Sequence, residues 1–148
     1  MGKDEKVSFN IVSSPHELKK MIDEKNAEKK NSARIVAGFC WPWSMPKRDG
    51  TLVNDVKIGD FEMPWEGKPG YRLAKGIPPA HLWAYNPNGV NQIGCIYTIQ
   101  GFEFDYVGVI FCKDLMYDLK NKKWVGNPKE SADPMIKGTK ENFIDYVK

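Results

Sequence analysis

The sequence predicts an α/β domain with a mainly parallel sheet and an irregular insertion. Residues 33–41, ARIVAGFCW, form a nearly continuous apolar run, which is typical of a strand covered on both faces of a parallel sheet. Residues 92–98 and 106–112 are two further runs of this kind. Residues 6–14 also have strand composition, and a helix signal separates them from the run at 33–41. The order strand, helix, strand predicts a crossover unit.

A helix is predicted to begin at Ser14. Ser14 is a residue type favoured as an N-cap, Pro15 would occupy the first helical position, and Glu17 stands three residues after the cap. Apolar residues from Leu18 onward recur at helical spacing, and the pattern fades near residues 29–32. The sequence therefore predicts one amphipathic helix, whose polar face we expect to be solvated.

Residues 42–91 have no periodicity and form the predicted Trp/Pro-rich insertion. Seven of the ten prolines fall in this stretch, which is long for a loop without secondary structure. We therefore expect short strands within it, for example at residues 55–65, wrapped on the core. The sequence of residues 113–126 also predicts two short strands around the KNKK turn. The pattern at residues 139–148 predicts a helix capped by Thr139. All these elements fit one domain at 1–148.

Composition excludes several classes of function. The net charge of +3, from 22 basic and 19 acidic residues, is too balanced to predict nucleic-acid or membrane binding by field alone. Cys40, Cys95 and Cys112 lie far apart without a Cys-x-x-Cys pair, so neither a disulfide framework nor a zinc site is indicated, and we expect buried thiols. The N-terminus lacks an apolar signal core, and no run approaches the ~18 apolar residues of a membrane span. These features predict a cytoplasmic protein with no membrane partner.

The sequence carries none of the common catalytic motifs. Gly-Lys occurs at residues 2–3 and 67–68, but neither pair is followed by the Ser or Thr of a P-loop. His16 and His81 belong to no His-Glu-x-x-His motif, and no Gly-x-Ser-x-Gly elbow is present. We therefore assign no catalytic residue and no metal ligand.

Five tryptophans allow two interpretations. Aromatic side chains can stack on nucleic-acid bases, or they can anchor an irregular insertion to the core. We expect anchors, because most of these residues lie in or directly before the insertion. The five are Trp41, Trp43, Trp65, Trp83 and Trp124.

The stretch YTIQGFEFDYVGVI at residues 97–110 places a polar turn between two apolar runs. Gly101 permits a tight turn. In an open parallel sheet, ligands bind outside the carboxyl ends of the strands, which is where a turn after residues 92–98 would begin. Spacing alone leaves open whether Glu103 is merely solvated or contacts a ligand.

The turn resembles the fifth conserved motif of superfamily-one helicases, which lies in their second RecA-like domain. Residues 33–44 and 107–118, together with 13–26, resemble a helicase-like family related to the Schlafen proteins, known as domain of unknown function 2075. This resemblance implies a partial RecA-like (P-loop NTPase-like) domain. The residues that match the helicase motif are Thr98, Gln100, Gly101, Phe102, Glu103 and Phe104.

The resemblance also implies a function for the turn. It predicts a fragment of an ATP-dependent DNA or RNA helicase or translocase, which supplies one side of an inter-domain ATP cleft. Gln100, Gly101 and Glu103 would face the nucleotide, and Thr98 would face the nucleic acid. Ile99 departs from the small or polar residue of many helicases, which weakens the nucleic-acid assignment.

ATP and magnesium would bind in the full-length parent, where the first RecA-like domain would be the partner of this fragment. The fragment alone would bind neither ATP nor magnesium and would be inactive. The alternative is a non-catalytic module that binds protein or nucleic acid through the insertion.

Overall fold

A three-stranded parallel sheet forms the centre of the protein. The computed structural model describes residues 7–137, so the predicted helix at 139–148 lies outside the described residues. Among the described residues, no helix has the length and apolar character needed to cross a membrane. The helices and strands are α1 (Pro15–Glu28), β1 (Ala33–Ala37), β2 (Val56–Ile58), β3 (Phe61–Met63), β4 (Ile93–Cys95), β5 (Tyr106–Ile110), β6 (Leu115–Asp118), β7 (Lys123–Gly126) and α2 (Pro134–Lys137), with 3₁₀ turns at Ala80–Leu82, Pro87–Asn91 and Pro128–Glu130.

The sheet has the order β4-β1-β5, with β1 parallel to both neighbours. Every residue of β1 is buried, which confirms the predicted buried strand for residues 33–37, whereas residues 38–41 lie outside the strand and are only partly buried. β2–β3 and β6–β7 form two antiparallel pairs, which confirms the short strands expected in the insertion and around the KNKK turn. The α/β class with a parallel sheet is therefore confirmed.

Helix α1 begins as predicted and covers one face of the sheet. The Ser14 hydroxyl accepts a hydrogen bond from the Glu17 backbone N–H at 3.1 Å, and Pro15 is the first helical residue. Ile22 is buried in the main core, and Leu18 packs against this core. A Cβ at Gly108 of β5 would lie 3.0–3.1 Å from these two side chains, so glycine allows the helix to approach the sheet.

The predicted strand at 6–14 is wrong. Residues 7–14 form no strand, and Val7, Phe9 and Ile11 are exposed. Apolar alternation stabilises a strand only where a neighbouring strand pairs with it, and no strand described in the structure pairs with this segment. The first half of the predicted crossover unit is therefore missing.

β5 also differs from the expectation of a strand buried on both faces. Gly108 and Ile110 are buried, while Tyr106, Val107 and Val109 are exposed. Gly108 faces α1, so the α1 side of β5 is covered, while Val107 and Val109 alternate with it on the uncovered side.

The first part of the insertion packs onto the same face of the sheet as α1, and its end packs onto the opposite face. Four of its side chains belong to the main core: Val56, Phe61, Met63 and Trp65. Their position confirms that the insertion wraps on the core. The indole nitrogens of Trp41, Trp43, Trp65 and Trp83 donate to backbone carbonyls at 3.0–3.2 Å, as expected for anchoring residues.

The opposite face of β1 carries a buried arginine. Arg34 has no exposed surface and lies against the rings of Trp83 and Phe104, with its guanidinium carbon 5.9 and 5.6 Å from the ring centroids. Its Nη2 donates to the carbonyls of Ala84 and Asn86, each at 3.0 Å. Burial lowers the pKa of Arg34. The guanidinium thus joins the central strand to the end of the insertion through neutral acceptors.

A second buried charge fixes the turn after β4. Glu66 has no exposed surface, and its carboxylate accepts from the Cys95 N–H at 3.0 Å and from the Thr98 hydroxyl at 2.6 Å. The Glu66 N–H donates to the Ile93 carbonyl at 2.9 Å. Burial raises the pKa of Glu66, although both hydrogen bonds act in the opposite direction. The insertion is therefore bonded to β4 and to the turn that follows it.

We expect Arg34→Met to destabilise the protein strongly. Methionine keeps an apolar stem between the two rings but leaves the buried Ala84 carbonyl without the Arg34 donor, at about 1–3 kcal/mol. The Asn86 carbonyl keeps its hydrogen bond from the Gly89 N–H. Urea unfolding measures the change, with the exposed Arg48 as a matched control in Arg48→Met. Equal unfolding midpoints for the two variants would contradict the structural role of Arg34.

Stability should also depend on pH through Glu66. Because the folded state raises the pKa above the ordinary value of 4.5, the folded protein binds this proton more tightly than the unfolded chain. Stability therefore falls as pH rises from about 4.5 through the folded pKa, by about 1.4 kcal/mol for each unit of pKa elevation.

Glu66→Gln removes this titration and can still accept from Cys95 while donating to Thr98. Its stability advantage over the wild type should grow with pH between the two pKa values. Unfolding at a series of pH values, with exposed Glu62→Gln as control, measures the difference. A constant difference across pH would rule out a raised pKa at Glu66.

Candidate functional site

The turn at residues 96–101 begins at the carboxyl end of β4. The Thr98 and Ile99 N–H groups donate to the Cys95 carbonyl at 2.9 and 3.2 Å. Gly101 has φ of +87°, a backbone conformation that favours glycine, although a Cβ there would meet no atom within 4 Å. The tight turn predicted at Gly101 is therefore present. The Tyr97 hydroxyl donates to the Asp133 carboxylate at 2.7 Å, and this bond raises the pKa of Tyr97 to about 12.

After the turn, the chain crosses the face of β1 that carries Arg34. Phe104 packs edge-on against the Trp83 ring, with centroids 5.9 Å apart, and Phe102 packs edge-on against Tyr85 at 5.3 Å. The two phenylalanines are half-buried, while Glu103 between them is exposed. The segment therefore turns its two phenylalanines toward the protein and its Glu103 carboxylate toward solvent.

A cleft of about 330 Å³ opens beside this segment. Tyr85 is 68% exposed, so its ring offers apolar surface to a ligand. Glu103 adds a carboxylate, which accepts hydrogen bonds. The residues that line the cleft are Asn31, Ala84, Tyr85, Gly101, Phe102, Glu103 and Phe104.

The structure separates the four predicted site residues. Gly101 and Glu103 line the cleft together. Gln100 is exposed at the end of the turn but does not line the cleft. Thr98 lies next to Glu66, and its hydroxyl donates its only hydrogen bond to the Glu66 carboxylate. A phosphate oxygen of a nucleic acid would have to accept this same hydrogen bond. The predicted contact of Thr98 with nucleic acid therefore requires the hydroxyl to turn away from Glu66.

The cleft does not lie at the carboxyl ends of the strands, where the ligand was expected. Asn31 precedes β1 by two residues, and Phe104 precedes β5 by two residues. Both border the cleft, so it opens beside the amino ends of these parallel strands. The reason is the connection from β4 to β5, which must return along the sheet before a parallel strand can begin.

The electrostatics of the cleft are asymmetric. Among the described residues that line it, none is a lysine or an arginine. The Arg34 guanidinium lies behind the lining, where Nη2 donates to Asn31 Oδ1 at 3.2 Å and to the Ala84 carbonyl. A neutral aromatic and hydroxyl-bearing ligand fits this lining better than a phosphate group. Sequence reasoning missed Asn31, Tyr85 and Arg34, because no local pattern connects them to the turn.

A second exposed surface lies on the β6–β7 hairpin. Trp124 is 49% exposed and packs against Tyr117 and Phe111, with ring centroids 5.3 and 5.9 Å apart. Trp124 therefore differs from the anchoring role expected for it, because it lies on a hairpin away from the insertion. Three exposed lysines occupy the turn and the start of β7: Lys120, Lys122 and Lys123.

Comparison with known proteins identifies a family. Residues 1–147 match the family described as Schlafen group 3, DNA/RNA helicase domain. The chain is also similar to "Uncharacterized protein YPL245W" of Saccharomyces cerevisiae, with 26% identity over 114 residues, which cover 76% of this chain and 22% of the yeast protein. No solved structure matches. The match extends over nearly the whole sequence, and the chain belongs to the Schlafen group 3 DNA/RNA helicase domain family.

Proposed function

We propose that this chain supplies one side of an ATP cleft in an ATP-dependent DNA or RNA helicase or translocase, as a partial RecA-like domain. The observation that carries the proposal is the cleft in which Gly101 and Glu103 meet exposed aromatic surface. The membership of a helicase-domain family supports the same proposal. The finer relationship to the domain of unknown function 2075 stays a prediction.

The lining favours the nucleoside part of ATP. The Tyr85 and Phe102 rings would contact the base, and the Glu103 carboxylate would accept hydrogen bonds from ribose hydroxyls. Gln100, exposed beside the cleft, would contact the nucleotide from the edge of the turn.

The triphosphate needs cationic and magnesium-binding groups, and the described lining provides no cationic side chain. We therefore propose that the first RecA-like domain of the parent provides the phosphate and magnesium site. Thr98 would contact nucleic acid after release from Glu66.

The test of the nucleotide site is Glu103→Ala in the full-length protein. A hydrogen bond to a charged acceptor contributes about 1.5–3 kcal/mol, so ATP affinity should fall by about 10- to 150-fold. ATP binding is measured by calorimetry, together with 2′-deoxy and 3′-deoxy ATP. One deoxy analogue should bind more weakly than ATP to the wild type, and this difference should vanish in Glu103→Ala.

Asp105→Ala is the matched control for this experiment. It removes the same charge two residues away, where Asp105 pairs with Lys29 at 2.7 Å outside the cleft lining. We expect its ATP affinity to equal that of the wild type. An equal loss of ATP affinity in both variants would show that the effect comes from net charge alone. Unchanged ATP affinity in both variants would show that Glu103 is only a solvated turn residue.

A second candidate function is a non-catalytic nucleic-acid-binding module. The tryptophans of the insertion anchor the core, so the insertion itself offers little aromatic surface for binding. The β6–β7 hairpin instead combines half-exposed Tyr117 and Trp124 with exposed lysines. Aromatic rings beside cationic side chains suit the bases and phosphates of a single strand.

Trp124→Ala should weaken binding of labelled oligo-dT or oligo-rU, measured by fluorescence anisotropy. One stacked base contributes about 1–3 kcal/mol, which corresponds to a loss of about 5- to 150-fold. Leu119→Ala is the control, because Leu119 is 82% exposed on the same hairpin but has no ring. Equal affinity of Trp124→Ala and the control would exclude stacking at Trp124.

A further inference from the structure

The carboxyl ends of β1 and β5 bring together three side chains that are distant in sequence. Cys40 follows β1, and Cys112 and Asp114 follow β5. One ligand atom from each, the two Sγ atoms and a carboxylate oxygen, lies within 4.8 Å of the other two. Because β1 and β5 are parallel neighbours, their following segments emerge at the same edge of the sheet.

The absence of a side chain at Gly38 creates space for this cluster. A Cβ at that position would lie 2.7 Å from the Cys112 Sγ, closer than real Cβ contacts allow, and 3.9 Å from Asp114 Oδ1. The Gly38 N–H donates to the Ile110 carbonyl at 3.2 Å, and its carbonyl accepts from the Cys40 N–H at 3.0 Å. The bare backbone of residue 38 therefore forms one wall of the cluster.

Backbone hydrogen bonds also hold the segments on either side of the cluster. The Leu115 N–H donates to the Cys112 carbonyl at 3.2 Å, and the Asn127 N–H donates to the Asp114 carbonyl at 2.6 Å. The Ala132 N–H donates to the carbonyl of Phe39 at 2.7 Å. The three donor groups thus belong to backbone that the fold has already fixed, which lowers the entropy cost of binding an ion.

Within the described part of the chain, no cationic side chain pairs with the carboxylate of the cluster. None of the ion pairs formed among residues 7–137 includes Asp114. Two thiols and a carboxylate become a concentrated negative site when the thiols lose their protons. A divalent cation would supply the missing positive charge and would take up the thiolates as ligands.

We propose that Cys40, Cys112 and Asp114 bind a zinc ion, with the fourth position open to water or to another ligand. Thiolate ligands select zinc over magnesium or calcium, and zinc accepts sulfur and carboxylate oxygen in tetrahedral geometry. With Zn–S bonds of about 2.3 Å, the two sulfurs of a tetrahedral site lie about 3.8 Å apart. Small side-chain rotations therefore suffice to close the cluster around the ion. The site is independent of the ATP cleft.

Metal content of the purified full-length protein tests the proposal. After reduction, loading with zinc and dialysis, we expect zinc bound at this cluster, with Cys112→Ser and Asp114→Asn losing one equivalent relative to the wild type. Cys95→Ser is the matched control, because Cys95 is buried outside the cluster and should leave the zinc content unchanged. Gly38→Ala should lower zinc content by displacing the Cys112 thiol.

Cobalt spectroscopy keeps the test decisive if a variant fails to fold. Co²⁺ added to the reduced wild type should give thiolate charge-transfer absorption and the visible bands of a tetrahedral site, and excess Zn²⁺ should remove them. Absence of these bands would overturn the proposal. Full zinc retention by folded Asp114→Asn and Cys112→Ser would overturn it equally, as would a Cys40–Cys112 disulfide in a protein that binds no zinc after reduction.

Discussion

The burial of Arg34 is the constraint on which the arrangement of the candidate nucleotide site depends. A guanidinium inside the central strand is stable only if acceptors surround it, because an isolated buried charge is very costly. Here the acceptors are the neutral carbonyls of Ala84 and Asn86 and the side chains of Asn26 and Asn31. These groups come from α1, from the loop before β1 and from the insertion. The hydrogen bonds of one side chain therefore hold three segments together, two of which border the cleft.

Glu66 has the corresponding role at the other end of the sheet. Its carboxylate is bonded to the Cys95 N–H and the Thr98 hydroxyl, so the end of β4 and the start of the turn cannot move independently of the insertion. Arg34 and Glu66 have opposite charges, yet the side-chain hydrogen bonds of each go to other groups and not to one another. The insertion thus contacts the sheet at both ends and positions the segment that carries Gly101 and Glu103.

Local signals predicted the parts of the fold whose partners lie nearby in sequence. The Ser14 cap with Pro15 and Glu17, the apolar run of β1 and the two hairpins all depend on neighbouring residues or on burial alone. The signals failed where a partner lies far along the chain. Residues 7–14 have strand composition but no strand to pair with, and the buried roles of Arg34 and Glu66 depend on acceptors and donors 29 to 52 residues away. The Cys40–Cys112 pair, separated by about half of the sequence, has no spacing rule that could reveal it.

The two candidate sites lie at opposite ends of one strand, which has a physical consequence. β1 has five residues, and at about 3.3 Å per residue it separates the cleft beside its amino end from the cysteine cluster beyond its carboxyl end by about 16 Å. This exceeds the screening length of about 8 Å at physiological ionic strength. It also exceeds the range of about 7–10 Å within which substitutions usually couple. At this distance we expect substitutions in the cysteine cluster and in the cleft to have nearly additive effects on stability.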